Sequence, residues 1–407
     1  MNIAKWGRFA LALVVGVGAA SAASASEPVE RSGNSFHVAV CARNIGQGEA
    51  RCFAHVVTDA AGNPRLGKSP TATPNATPSG YGPAALRSAY SLPVLGTTAP
   101  GTGGTIVIVD AYGYTNAESD LAVYRSTFGL GACTTTNGCF RKVNQTGGSN
   151  TPRADTGWSQ ESALDLDMAS AMCPDCKLVL VEASTASLAN LAAAVQYGAS
   201  LRPIAISNSY GGGETGSQNY NSSYNVPGVA VTVSSGDSGY GTQFPASSPY
   251  VIAVGGTHLT NVASGGRSWT ETIWTSAGSG CSAIYGKPAY QMDLSCATRM
   301  EADISAVADP NTGVAVYGPV NRQSSGWQVY GGTSVSAPLI AGMFGLAGHG
   351  PANVAQKFYP SATNTPSLYD VTVVASNGSC GGTYFCTTGP GYDGPTGNGT
   401  PNGLTSF

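Results

Sequence analysis

From residue 105 onward, short apolar runs alternate with longer stretches of helix-forming residues. Thr105 to Val109, Lys177 to Val181, Ile204 to Ser207, Val229 to Val233 and Val251 to Val254 are nearly unbroken in apolar character and end at turn residues. Such runs predict strands buried on both faces. Helices are expected near Glu118 to Phe128, Gln160 to Met172 and Ser187 to Tyr197, with Gly198 as the stop of the last. A further helix-like run follows the paired glycines Gly331-Gly332 and continues through Leu346. Helices interleaved with apolar strands predict an α/β fold, a parallel sheet covered by helices on both faces. No internal repeat is present.

The first 104 residues read differently. Lys5 and Arg8 precede an apolar core from Phe9 to Val17, followed by Ala20-Ser21-Ala22 and Ala23-Ser24-Ala25, small residues suited to signal-peptide cleavage. That core is too short to span a membrane, and no later stretch reaches the roughly 18 apolar residues a span needs. Export of a soluble mature protein, extracellular or periplasmic, is the expectation. Phe36 to Val57 reads as a small disulfide-closed unit, and Lys68 to Gly80, rich in Pro, Thr and Ser, as an extended linker.

Composition narrows the function classes. Only 10% of residues are charged and the net charge is −3, with no basic patch suited to nucleic acid. Ten cysteines agree with an oxidising compartment. They fall in near-neighbour pairs, Cys41/Cys52, Cys133/Cys139, Cys173/Cys176, Cys281/Cys296 and Cys380/Cys386, and five local disulfides are the simplest connectivity. Cys173-Pro174-Asp175-Cys176 is open to a redox or metal reading as well, without a second CxxC to support it.

The candidate chemistry begins at Gly331-Gly332-Thr333-Ser334-Val335-Ser336-Ala337-Pro338. This layout puts Ser334 at a helix N-terminus, where free N–H groups and the helix dipole stabilise negative charge. A serine nucleophile needs a base. Of the four histidines, His37, His55, His258 and His349, only His258 lies between the first core strand and Ser334. It sits in Val254 to Leu259, read as a strand end entering a turn. Glu161 and Asp165 are the stronger candidates: four apart on a helix, they share one face, while Asp167 points elsewhere. A solvated acidic face is the alternative, but Leu164, Leu166, Met168 and Ala171 imply burial, where two close carboxylates need a reason. Asp237 follows the apolar run Val229 to Val233 in Gly236-Asp237-Ser238-Gly239, either a site loop after a strand or turn chemistry alone. Asp110, directly after the first strand, is open to a role near Glu161 or to a turn-initiating one.

Together these segments resemble the sedolisin family of serine-carboxyl peptidases, which have a subtilisin-like fold. The resemblance runs over residues 81 to 407, from Tyr81-Gly82-Pro83 through Met300 to Pro310 and beyond. It implies Glu161 as general base, Asp165 as its supporting acid, Asp237 as the acid that stabilises the oxyanion and Ser334 as nucleophile. A classical subtilisin would need a histidine in a glycine-rich motif early in the chain, and none is present. The resemblance also implies one structural Ca²⁺, held by the carboxylates of Asp370 and Asp393 and the carbonyls of Val371, Gly389 and Gly391; a Gly/Pro turn is the alternative. The expected organisation is a signal peptide over 1–25, a short N-terminal or pro-segment with linker over 26–80, and a catalytic domain over 81–407. The family carries a long folded propeptide, so either this pro-segment is shortened or the N-terminal unit stays attached. The implied activity is acid endopeptidase action through an acyl-enzyme, by a monomer acting on protein or peptide substrates without nucleic-acid or membrane partners. The rivals are a binding or surface protein that keeps the fold without catalysis, and an esterase or transferase using the same acyl chemistry.

Overall fold

The computed structural model describes Met1 and residues 27–65, 78–95, 101–262, 267–350, 354–362 and 364–407. The signal-peptide expectation and most of the linker lie outside the described residues. The apolar runs align in one eight-stranded sheet. Its order is Trp269–Ile273, Ile252–Asn261, Ala230–Ser234, Ala205–Asn208, Thr105–Ala111, Lys177–Ala183 and Phe140–Asn144, with Ile304–Val307 paired alongside Ile252–Asn261. All neighbours are parallel except Trp269–Ile273, which runs antiparallel at one edge.

Among the described residues, five α-helices cover the sheet: α1 Pro83–Ala89, α2 Ala117–Thr127, α3 Thr156–Met172, α4 Leu188–Ser200 and α5 Thr333–Ala347. Alternation along the first core strand sorts them. Ile106 and Ile108 pack with apolar residues of α1, α2, α3 and α5, while Val107 and Val109 pack with α4 from the other side. Two expected boundaries change. Gly198 does not stop α4 but lies inside it, where a Cβ would come 2.9 Å from Val107 Cγ1; the missing side chain lets helix and sheet approach closely. The strand expected to end at Val254 runs on to Asn261, so His258 is mid-strand rather than at a turn.

A second, antiparallel sheet has the order Glu30–Ser32, Ser35–Ala39, His55–Thr58, Ser325–Gly331, Val314–Pro319. The N-terminal strands therefore pair with the strand that leads into α5: Val56 lies opposite Tyr330 and His55 opposite Gly331, three residues before Ser334. Helix α3 packs against the main sheet, α5 and the strand Val314–Pro319, which leaves its residues from Trp158 to Met172 buried. All five expected disulfides are present.

Candidate active site

Ser334 is the second residue of α5, so its N–H has no intrahelical acceptor. Gly332 precedes the helix with φ +101°, a left-handed conformation that disfavours a side chain, and a Cβ there would collide with the Phe53 carbonyl oxygen and come 2.8 Å from Asp237 Oδ2. Glycine is thus what lets the start of α5, Asp237 and the Phe53 carbonyl come close together. Ser334 Oγ donates to the Ser209 carbonyl at 3.3 Å and accepts from the Phe53 N–H at 3.1 Å.

Asp155 caps α3, its Oδ1 accepting from the Trp158 N–H at 3.1 Å, and the helix then carries Glu161 and Asp165 inward. Glu161 Oε2 accepts from the Ala54 N–H at 2.8 Å. Asp165 Oδ1 accepts from the Ser209 hydroxyl at 2.7 Å. Both carboxyls are fully buried, and both are pushed well above the usual range, first by desolvation and then by the charge of Asp110. The Ser334 hydroxyl and the Ala54 N–H oppose the rise at Glu161, as does Ser209 at Asp165. Asp110 lies within the first core strand, which runs one residue further to Ala111, rather than after it, and its carboxyl joins this cluster, raised to about 7 mainly by burial. Asp167 is held apart from it, accepting from the Tyr317 N–H at 3.0 Å.

Asp237 follows the strand Ala230–Ser234. Its Oδ1 accepts from the Thr333 N–H at 2.9 Å and the Thr333 hydroxyl at 2.6 Å, which ties it to the start of α5. The sequence-selected Glu161, Asp165, Asp237 and Ser334 thus come together, with Asp110 beside them. His258 does not join them; its Nδ1 pairs with Asp309 Oδ2 at 2.7 Å.

Sequence reasoning missed the N-terminal contribution. Arg51 and Cys52 pair antiparallel with Gly211 and Tyr210, Phe53 N–H also reaches the Ser209 carbonyl at 3.3 Å, and His55 Nε2 sits 3.2 Å from Asp237 Oδ2. Behind it, His37 Nδ1 and His55 Nδ1 are 2.9 Å apart. The only sequence signal for this arrangement was the Cys41/Cys52 pair, which shortens the loop to the cleft.

At the C-terminal end, Asp393 Oδ1 accepts from the Thr396 N–H at 2.9 Å and Asp370 Oδ2 from the Gly391 N–H at 2.7 Å. Asp393 is raised to about 7, mainly by burial, with the Asp370 charge adding to the rise.

A buried serine with buried glutamate and aspartate side chains beside it, on a parallel sheet with this helix order, defines a subtilisin-like peptidase scaffold. No protein-family model matches the chain. It is 30% identical over 374 residues to kumamolisin from Bacillus sp. strain MN-32, covering 81% of this chain and 63% of that protein. It is 33% identical over 203 residues to sedolisin from Pseudomonas sp. strain 101, covering 42% of this chain and 33% of that protein. The solved structure of Pseudomonas sedolisin, a serine-carboxyl proteinase complexed with two molecules of pseudo-iodotyrostatin, superposes with a TM-score of 0.65 and 27% identity over 80% of this chain and 96% of that one. The chain belongs to the sedolisin family. It spans less than two thirds of the full length of either curated relative.

Proposed function

We propose that the chain is a secreted serine-carboxyl endopeptidase, with a signal peptide over 1–25, an N-terminal segment and linker over 26–80 and the catalytic domain over 81–407. One observation carries this reading: Ser334 Oγ and Glu161 Oε2 accept from two consecutive main-chain N–H groups, those of Phe53 and Ala54, so the serine and the glutamate line one cleft that holds an extended chain. Glu161 removes the Ser334 proton once the hydroxyl turns from Ser209, and Oγ adds to the substrate carbonyl carbon. Asp237, protonated, donates to the oxyanion alongside the free N–H groups at the start of α5. Glu161 then passes its proton to the leaving amine, and water hydrolyses the acyl-enzyme by the same steps in reverse. Asp165 and Asp110 act through Glu161, holding the shared negative charge of the cluster.

The raised Glu161 carboxyl fits acid activity only when the cleft is open. Desolvation is the largest cause of the rise. Release of the N-terminal segment admits water to the site and lowers the pH at which Glu161 ionises. Above that pH a glutamate base works where a histidine would be protonated.

The C-terminal loops fit one Ca²⁺. Asp370 and Asp393 repel each other, and among the described residues the carbonyls of Val371, Gly389 and Gly391 accept no hydrogen bond. Two carboxylates with free carbonyls form a hard oxygen donor set, and a bound cation would join these loops and offset the repulsion. Its role would be structural.

Among the described residues no helix is long and apolar enough to cross a membrane. Digestion of a mixed peptide library from pH 3 to 8 tests the reading. Cleavage in acid that is lost in Ser334→Ala supports it, and cleavage unaffected by Ser334→Ala excludes it.

A further inference from the structure

We propose that Glu30, His37 and His55 form a binding site for one Zn²⁺. The site stands apart from the peptidase reading and rests on strand register. In an antiparallel sheet, residues directly opposite each other point to the same side, and so do residues two apart along one strand. Glu30 lies opposite His37, and His55 lies opposite Ala39, two residues on from His37. All three side chains therefore leave the same face of three adjacent strands.

Their ligand atoms converge there. His37 Nδ1 and His55 Nδ1 are 2.9 Å apart, and Glu30 Oε2 lies 3.9 Å from the first and 4.0 Å from the second. The circle through these three atoms has a radius of about 2.1 Å, the length of a zinc–nitrogen or zinc–oxygen bond. An ion at its centre is at bonding distance from all three. Two imidazoles and one carboxylate, with a fourth position left to water, make a zinc donor set. Ca²⁺ and Mg²⁺, which take oxygen ligands, fit it poorly.

The donors are also held from behind, as metal ligands need to be. His55 Nε2 is 3.2 Å from Asp237 Oδ2, and the His55 ring meets Trp274 edge to face with centroids 5.9 Å apart. Arg43 Nη1 donates to Glu30 Oε1, which leaves Oε2 for the ion. Both histidines are buried, whereas Glu30 is 33% exposed and gives the ion a way in.

Between the two Nδ1 atoms there is room for one proton or for the ion. With the ion, both Nδ1 atoms ligate, and His55 carries its proton on Nε2, from which it donates to Asp237. Zinc thereby ties the strands Glu30–Ser32 and Ser35–Ala39 to His55 and, through it, to the Asp237 carboxyl.

The test uses the untagged full chain carrying Ser334→Ala, prepared without zinc and saturated with Ca²⁺ so that Asp370 and Asp393 do not compete. Zinc added at neutral pH in a calorimeter should bind as one ion per chain and raise the melting temperature. His37→Gln and Glu30→Gln should weaken this binding at least tenfold, Asp237→Asn roughly tenfold, and His258→Gln not at all. Melting curves without zinc show whether each variant folds. The X-ray absorption spectrum of the zinc-loaded parent depends on no variant at these positions and should show two imidazole ligands. No uptake of zinc, a zinc spectrum without imidazole, a folded His37→Gln variant that binds as tightly as its parent, or binding lost in a folded His258→Gln instead, overturns the proposal.

Discussion

Replacing Asp110 by Asn should change how stability depends on pH far more than it changes stability in acid. The Asp110 carboxyl is fully buried near the end of its strand and is raised from 3.8 to about 7, mainly by desolvation, with the Glu182 charge adding to the rise. A carboxyl raised on folding holds its proton in the native state after the unfolded chain has released it. Its stabilising contribution is therefore whole below the unfolded value and is lost as pH climbs to the folded one. Between pH 3.8 and about 7 the loss amounts to about 4 kcal/mol at 1.36 kcal/mol per pH unit. Asn keeps the shape without the titration. Urea unfolding at pH 4 and at pH 7.5, in a Ser334→Ala background to prevent self-digestion, measures the difference. Asp110→Asn should be close to its parent at pH 4 and more stable by about 4 kcal/mol at pH 7.5. Parallel stability curves for the two proteins across this range would refute the reasoning.

Other outcomes follow from the same geometry. Chelator should lower the melting temperature of the full chain, and Asp393→Ala should remove most of that response; an unchanged melting temperature with no metal in the purified protein contradicts the calcium site. Asp237→Ala should lower the rate of peptide hydrolysis roughly a hundredfold, the worth of one oxyanion-stabilising group; an unchanged rate removes Asp237 from the oxyanion role. His37 is lowered to about 4 by burial, by the neighbouring His55 and against the pull of Glu30, Asp309 and Asp237, so docking of its strand should weaken as pH falls from 6.5 through 4. His37→Gln should make exposure of the N-terminal segment to an added protease less acid-dependent, and an unchanged dependence excludes this strand as the acid-sensitive element.

Much of the candidate site was legible because it is local. Glu161 and Asp165 share a helix face by spacing, and Ser334 follows paired glycines at a helix start, so neither needed long-range information. The five disulfides were legible for the same reason, each joining near neighbours. Tertiary placement was not. The sequence offered His258 as the histidine near the serine because chain order was the only guide; strand pairing instead brings His55 to Asp237 from 182 residues away. Gly198 reads as a helix stop by propensity, yet its lack of a side chain serves packing against Val107. Nor does any local pattern announce that Arg51 to Ala54 lie in the cleft, since that placement comes from pairing with Ser209 to Gly211.

The central claim is that Glu161, not a histidine, activates Ser334. Its most direct test is the rate of peptide hydrolysis from pH 3 to 8 by the acid-incubated protein and its Glu161→Gln, Ser334→Ala and His55→Gln variants. The account predicts activity confined to acid, at least a hundredfold loss in Glu161→Gln and Ser334→Ala, and retained catalysis in His55→Gln, in line with the ~10²–10⁴-fold worth of a general base. Activity peaking near pH 8, surviving Glu161→Gln and abolished in His55→Gln would contradict it.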